Sequence, residues 1–102
     1  MEESPLIEAH GLVHGPRGDL YDHPFTDYQR TTDIFNAMTG HNLTASEGVL
    51  FMLSVKLSRL GRGIQAGFSP DRLRDTVVDL GGYVECFDMT YKKENPRGPI
   101  AE

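Results

Sequence analysis

The stretch Thr44-Ala45-Ser46-Glu47-Gly48-Val49-Leu50-Phe51-Met52-Leu53-Ser54-Val55-Lys56-Leu57-Ser58-Arg59-Leu60 decides the fold. It opens on a capping box. The threonine hydroxyl accepts from the backbone N–H three residues on, and the glutamate accepts from the threonine N–H in return. Apolar residues then recur at three and four, not at two. At roughly 100° per residue, Val49, Met52, Leu53, Leu57 and Leu60 share one face of a helix. Gly61-Arg62-Gly63 predicts its end near Leu60, and Gly61 to Phe68 reads as a flexible loop.

The flanking punctuation repeats the theme. Ser69-Pro70, a cap followed by proline at the first helical position, opens a last helix predicted to reach Tyr91. Its apolar face is Leu73, Val77, Leu80, Val84, Phe87 and Tyr91. Upstream, Thr26-Asp27-Tyr28-Gln29 fits another capping box and predicts a helix with Tyr28, Ile34, Phe35 and Met38, ending at Gly40. Ser4-Pro5 predicts a short helix from Pro5 to about Val13, and Gly15 to Pro24 reads as loop. From Lys92 onward the chain is polar, with Pro96 and Pro99, which predicts a disordered tail. No alternating strand pattern of useful length occurs. The expected fold is therefore all-α: a four-helix, bundle-like single domain over residues 1–91, two helices short and two long, with a tail over 92–102. Phe51, Val55, Val78 and Met89 fall off the main stripes. A second apolar surface on each long helix predicts a dimer or higher oligomer.

Composition excludes several classes. The 102 residues carry 10 Lys plus Arg against 15 Asp plus Glu, a net charge of −5. Duplex nucleic-acid binding, which neutralises many phosphates, is not expected. The longest uncharged apolar run, Gly48 to Val55, is far short of the ~20 residues that cross a bilayer, so no membrane role is expected. The acidic Met1-Glu2-Glu3 start lacks the order of a signal peptide, and a cytoplasmic location is expected. One cysteine, Cys86, excludes an intrachain disulfide and reads as a small buried hydrophobe.

Charge within the helical pattern is more informative. Lys56 falls inside the apolar face, and Arg59 lies one turn on at its edge. A lysine there is costly unless paired. Asp75, Asp79, Tyr83 and Cys86 line one flank of the last helix. Antiparallel packing of the two long helices would set Lys56 and Arg59 against Asp79 and Asp75. Two readings stand side by side: an interhelical salt bridge with Tyr83 as neighbour, or a pair of cations holding a phosphate, oriented by the carboxylates. Gly81-Gly82 inside that helix predicts a close helix crossing, with a ligand approaching the backbone as the alternative. Arg17-Gly18-Asp19-Leu20-Tyr21 offers a glycine loop able to reach over a pocket. His10 and His14 are four apart, which suits a metal pair, but the glutamate of a His-Glu-x-x-His motif is missing. A third ligand from His23 or Asp22 would have to fold back. Solvated or capping histidines are the expectation, and no metal site is assigned.

Three blocks together carry a family resemblance: Gly15-Pro16-Arg17-Gly18-Asp19-Leu20-Tyr21 with Pro24, Lys56-Leu57-Ser58-Arg59-Leu60, and Asp75 with Val78-Asp79-Leu80-Gly81-Gly82-Tyr83. This order resembles a small helical domain family of unknown function that is common in bacteriophages. The family often has Gly after the loop tyrosine, where this chain has Asp22-His23. It is in turn distantly similar to the MazG-like all-α nucleoside triphosphate pyrophosphohydrolases, which hold magnesium with paired carboxylates. Here the analogous positions look like Lys56 and Arg59, the opposite charge, leaving Asp75 and Asp79. The resemblance therefore implies a non-catalytic protein binding a phosphate-containing, nucleotide-like ligand, with sequestration of a host-defence nucleotide signal as the extrapolated role. Lys56, Arg59 and Arg17 would meet phosphate, Tyr21 or Tyr83 would stack on a base, and Asp75 and Asp79 would orient. No cofactor is expected in that reading. The alternatives are a divergent pyrophosphohydrolase using magnesium, and an inhibitor of a host protein.

Overall fold

Capping residues and prolines set where each helix begins. The computed structural model describes residues 2–96, the side chains of 17–19 excepted. The helices are α1 (Pro5–His14), α2 (Pro16–Tyr21), α3 (Pro24–Thr39), α4 (Ala45–Gln65) and α5 (Pro70–Glu94), with no strand among the described residues. Ser4, Thr44 and Ser69 cap α1, α4 and α5 through their hydroxyls, and the Thr44–Glu47 capping box forms in full. Gly40, at φ 77°, ends α3 as expected.

Four boundaries differ from the sequence reading, each for a local reason. The segment after Gly15 is not loop throughout: Pro16 sits at a first helical position and opens the short α2. α3 starts at Pro24, because the ring nitrogen Nδ1 of His23 accepts from the Phe25 N–H at 3.0 Å, and the Thr26–Gln29 box is bypassed. α4 runs through Gly61 and Gly63 to Gln65. Gly63 is buried where a Cβ would run into Leu73 and Phe68, so it serves packing. The stop comes at Gly67, φ 75°, where Phe68 N–H bonds Gly63 C=O and Gly67 N–H bonds Ile64 C=O, a Schellman closure. α5 continues past Tyr91 to Glu94, whose carboxylate accepts from Ser46 N–H at the positive end of α4. The expected tail thus begins later, and residues 97–102 lie outside the described residues.

α4 and α5 form an antiparallel hairpin, paired at Gly63 with Leu73, Lys56 with Asp79 and Ser46 with Glu94. α3 crosses α4 at Gly48, where a Cβ would lie 2.7 Å from Thr32 Cγ2. α1 lies on α5 at the glycine pair. A Cβ at Gly81 would meet Ala9 Cβ at 3.1 Å and Leu6 Cδ2 at 3.2 Å, which is the close crossing expected there. Arg74 clamps the start of α1, donating to the Glu8 carboxylate at 2.8 Å and the Glu3 carbonyl at 2.7 Å.

The core is thin. Ala9, Ala45, Val49 and Val78 are its buried apolar residues. Val78, read as lying off the stripe, is central, because α1 covers that side of α5. Leu57, Val77, Val84 and Tyr91, read as core, are exposed. No helix among the described residues is long and apolar enough to cross a membrane.

Candidate functional site

On α5, Asp79, Gly82, Tyr83 and Cys86 fall at helical spacing along one flank. α1 closes over them with Ala9, Leu12 and Val13. The α2–α3 junction adds Tyr21, Asp22, Asp27 and Tyr28. Together these line a cavity of about 380 Å³. Small-ligand pockets range over roughly 300–1,000 Å³, so this one lies at the small end of that range.

Lys56, on α4, does not line the cavity but bonds one residue that does. Its Nζ donates to Asp79 Oδ2 at 2.8 Å, and the pair is only partly exposed. The opposing wall is acidic. Arg30 approaches Asp27 at 3.5 Å and Asp22 at 3.8 Å, both exposed contacts that contribute little on their own. Burial, foremost, pushes the Tyr28 phenol well above its ordinary pKa; neighbouring Tyr83, Cys86 and Asp27 and a hydrogen bond with Tyr83 add to this. Tyr28 therefore stays protonated as one member of a tyrosine pair. A second cavity of about 400 Å³ between α3 and α4, walled by Phe35, Leu43, Phe51 and Met52, is mostly apolar, with Asp27 the one charged residue in its lining among the described residues.

Of the residues singled out in the sequence, Tyr21, Asp79 and Tyr83 line the pocket, and Lys56 bonds to its wall. Arg59 and Asp75 do not line it. Both are exposed, and among the described residues no ion pair joins them. From Lys56 to Arg59 the helix turns by roughly 60° off the contact line, and from Asp79 to Asp75 by roughly 40°. The side chain of Arg17 lies outside the described residues. Cys86 is half-buried and faces the pocket, so it is not a core hydrophobe. Asp22, Asp27 and Tyr28 were missed as pocket residues, because only the fold-back of α2 onto α3 brings them to α5. Among the histidines, His23 caps α3. Burial, with Lys93 and His14 adding, lowers its pKa and favours the neutral ring that can accept the cap bond. His10 and His14 share a face of α1.

Asp22 carries a backbone signal. It has φ 70° and ψ −174°, a region that residues other than glycine seldom occupy. Strain of about 1–3 kcal/mol is expected there, partly offset by the entropy glycine loses on folding. Asp22→Gly is therefore expected to stabilise the protein by about 1 kcal/mol, read as a higher urea midpoint at unchanged slope. A lower midpoint would mean that the Asp22–Arg30 contact outweighs the strain.

The family model for a domain of unknown function, DUF6378, matches residues 4–90. The chain belongs to this family. This DUF6378 chain is similar to the Gene 55 protein of Mycobacterium phage D29, 28% identical over 94 residues. That alignment covers 91% of the chain and 57% of the relative, so the chain spans little more than half the relative's length. No solved structure matches significantly.

Proposed function

We propose that this DUF6378 domain binds a phosphate-containing, nucleotide-like ligand in the α1–α2–α3–α5 pocket without turning it over, and that it does so as a dimer or higher oligomer. The carrying observation is the pocket lining, Tyr21, Tyr28 and Tyr83 beside Asp22, Asp27 and Asp79, together with the Lys56 ammonium that bonds Asp79 from outside that lining. Tyrosine faces suit a base, and carboxylates accept from ribose hydroxyls and exocyclic amines. Phosphate belongs at the Lys56 end, away from Asp22 and Asp27. Sequestration of a host-defence nucleotide signal is the role such a non-hydrolysing pocket would serve in a phage.

The acid-rich wall favours a second reading. Phosphates facing Asp22, Asp27 and Asp79 call for a magnesium counter-ion, as in a divergent MazG-like pyrophosphohydrolase. One experiment separates them. Calorimetry with mono-, di- and triphosphates and cyclic dinucleotides, with and without magnesium, is run on wild type and Lys56→Ala, with pyrophosphate release measured on the same samples. Binding without turnover, weakened about tenfold or more in Lys56→Ala, is expected for a charged hydrogen bond worth about 1.5–3 kcal/mol. Equal binding by both proteins, or none by either, would sink the reading. Pyrophosphate release lost in Asp79→Asn would favour the hydrolase.

The oligomer rests on the exposed stripes. On α4, Leu50, Leu57 and Ile64 are seven apart and 46%, 57% and 64% exposed. On α5, Val77, Val84 and Tyr91 are seven apart and 36%, 58% and 50% exposed. Half-buried Leu53 and Leu60, and Leu80 and Phe87, interleave to give the three-four spacing of a coiled-coil seam. The α4 stripe lies roughly opposite Gly48, where α3 packs. The α5 stripe lies away from Tyr83 and Cys86, which face the pocket. Both therefore border one face of the hairpin. It presents on the order of 500 Å² of apolar surface, against about 800 Å² per partner in a stable interface once its flanks are included. A second copy related by a two-fold axis would complete a four-helix arrangement.

A further inference from the structure

We propose that His10 and His14 of α1 and Glu85 of α5 form a transition-metal site, best matched to zinc, that fastens α1 to α5. The two imidazoles stack on one helix face with ring centroids 4.3 Å apart. Glu85 comes to them from the neighbouring helix, with His14 Nε2 and Glu85 Oε2 separated by 2.5 Å. One ligand atom from each of the three residues lies within 4.8 Å of the other two. In a tetrahedral zinc site with bonds of about 2.0–2.2 Å, ligand atoms stand about 3.3 Å apart. Displacements of the ligand atoms on the order of an ångström therefore reach it.

The donor set selects the metal class. Two imidazoles and one carboxylate suit zinc and its first-row neighbours, whereas magnesium and calcium prefer all-oxygen shells. Three protein ligands at the surface leave a coordination position for water. The placement also answers a need of the fold. Ala9 is the one buried apolar residue α1 contributes, while Leu6, Ile7 and Leu12 stay exposed. Arg74 holds only the start of the helix, through Glu2, Glu3 and Glu8. The histidine–glutamate group lies at the other end, over α5, where no comparable clamp occurs among the described residues. The plain alternative is a His14–Glu85 ion pair in which His10 plays no part, so His10 is the discriminating residue.

Zinc chloride is titrated into the purified full chain, followed by calorimetry and thermal melting, for wild type, His10→Gln and Glu85→Gln. His10 is exposed, so the metal-free melting midpoint of His10→Gln is expected to equal that of wild type. One zinc per chain is expected. At free zinc 100 times its dissociation constant, the folded-to-unfolded ratio should rise about 100-fold, a midpoint shift of roughly 10 °C or more. Each substitution should weaken zinc binding about tenfold or more, since even supporting groups around metal ligands cost that much. Magnesium chloride should give no shift. Equal zinc responses from wild type and His10→Gln, or no response from wild type, would overturn the site.

Discussion

The wild-type chain is expected to run as a dimer in size-exclusion chromatography with light scattering, and Leu57→Asp combined with Val84→Asp to leave a folded monomer. Both side chains are more than half exposed within one chain, so the substitutions cost the isolated fold little. In a two-fold assembly, two aspartates per chain would place four unpaired carboxylates in a desolvated seam. Each costs several kcal/mol in such a setting. Even about 4 kcal/mol in total weakens association by roughly a thousandfold. A control at a distance, Met38→Asp on the exposed end of α3, should remain dimeric. A wild-type chain that is monomeric at all concentrations, or a double variant that stays dimeric, would remove the seam as an interface.

That face shows how far a sequence can be read without its tertiary context. The stripe Leu73–Tyr91 was legible as an apolar helix face, and its spacing was right. What it packs against was not legible, because period alone does not say which neighbour covers which side. α1 takes the Val78 side of α5 through the Gly81–Ala9 crossing, and so turns Val77 and Val84 outward. Local chemistry carried further. The serine and threonine caps and Gly40 marked helix ends because each satisfies orphan backbone groups within a few residues. Gly61 and Gly63 misled, since both lie inside α4, where Gly63 serves packing and Gly61 faces open space, and the His23 cap was hidden by a threonine box three residues on.

The site divides the same way. A lysine in an apolar stripe announces a partner, and Asp79 was the one in reach. The acidic wall was invisible, because Asp22, Asp27 and Tyr28 meet α5 only through the α2–α3 turn. Likewise His10 and His14 were suggestive by spacing, while Glu85, 71 residues from His14, had no local signal.

The Lys56–Asp79 pair yields the second large effect, and it is asymmetric. Removing one partner leaves the other as an uncompensated charge, so the cost tracks the burial of whichever residue remains. The Lys56 side chain is 14% exposed and that of Asp79 is 35% exposed. Asp79→Leu, which orphans the more buried ammonium, is expected to cost about 3 kcal/mol. Lys56→Met keeps most of the packed stem and orphans the wetter carboxylate, costing about 1.5 kcal/mol. The double variant Lys56→Met, Asp79→Leu should return to within about 1 kcal/mol of wild type, because a well-packed apolar pair often equals a buried ion pair. Urea midpoints at one fixed protein concentration measure all three, which holds any effect of association constant. Two equal single-variant costs would show that solvent reaches both groups alike. The folded double variant then separates structure from function: if it binds nucleotide as wild type does, the pair serves only to join α4 to α5, and if binding is lost while the fold stands, Lys56 belongs to the ligand.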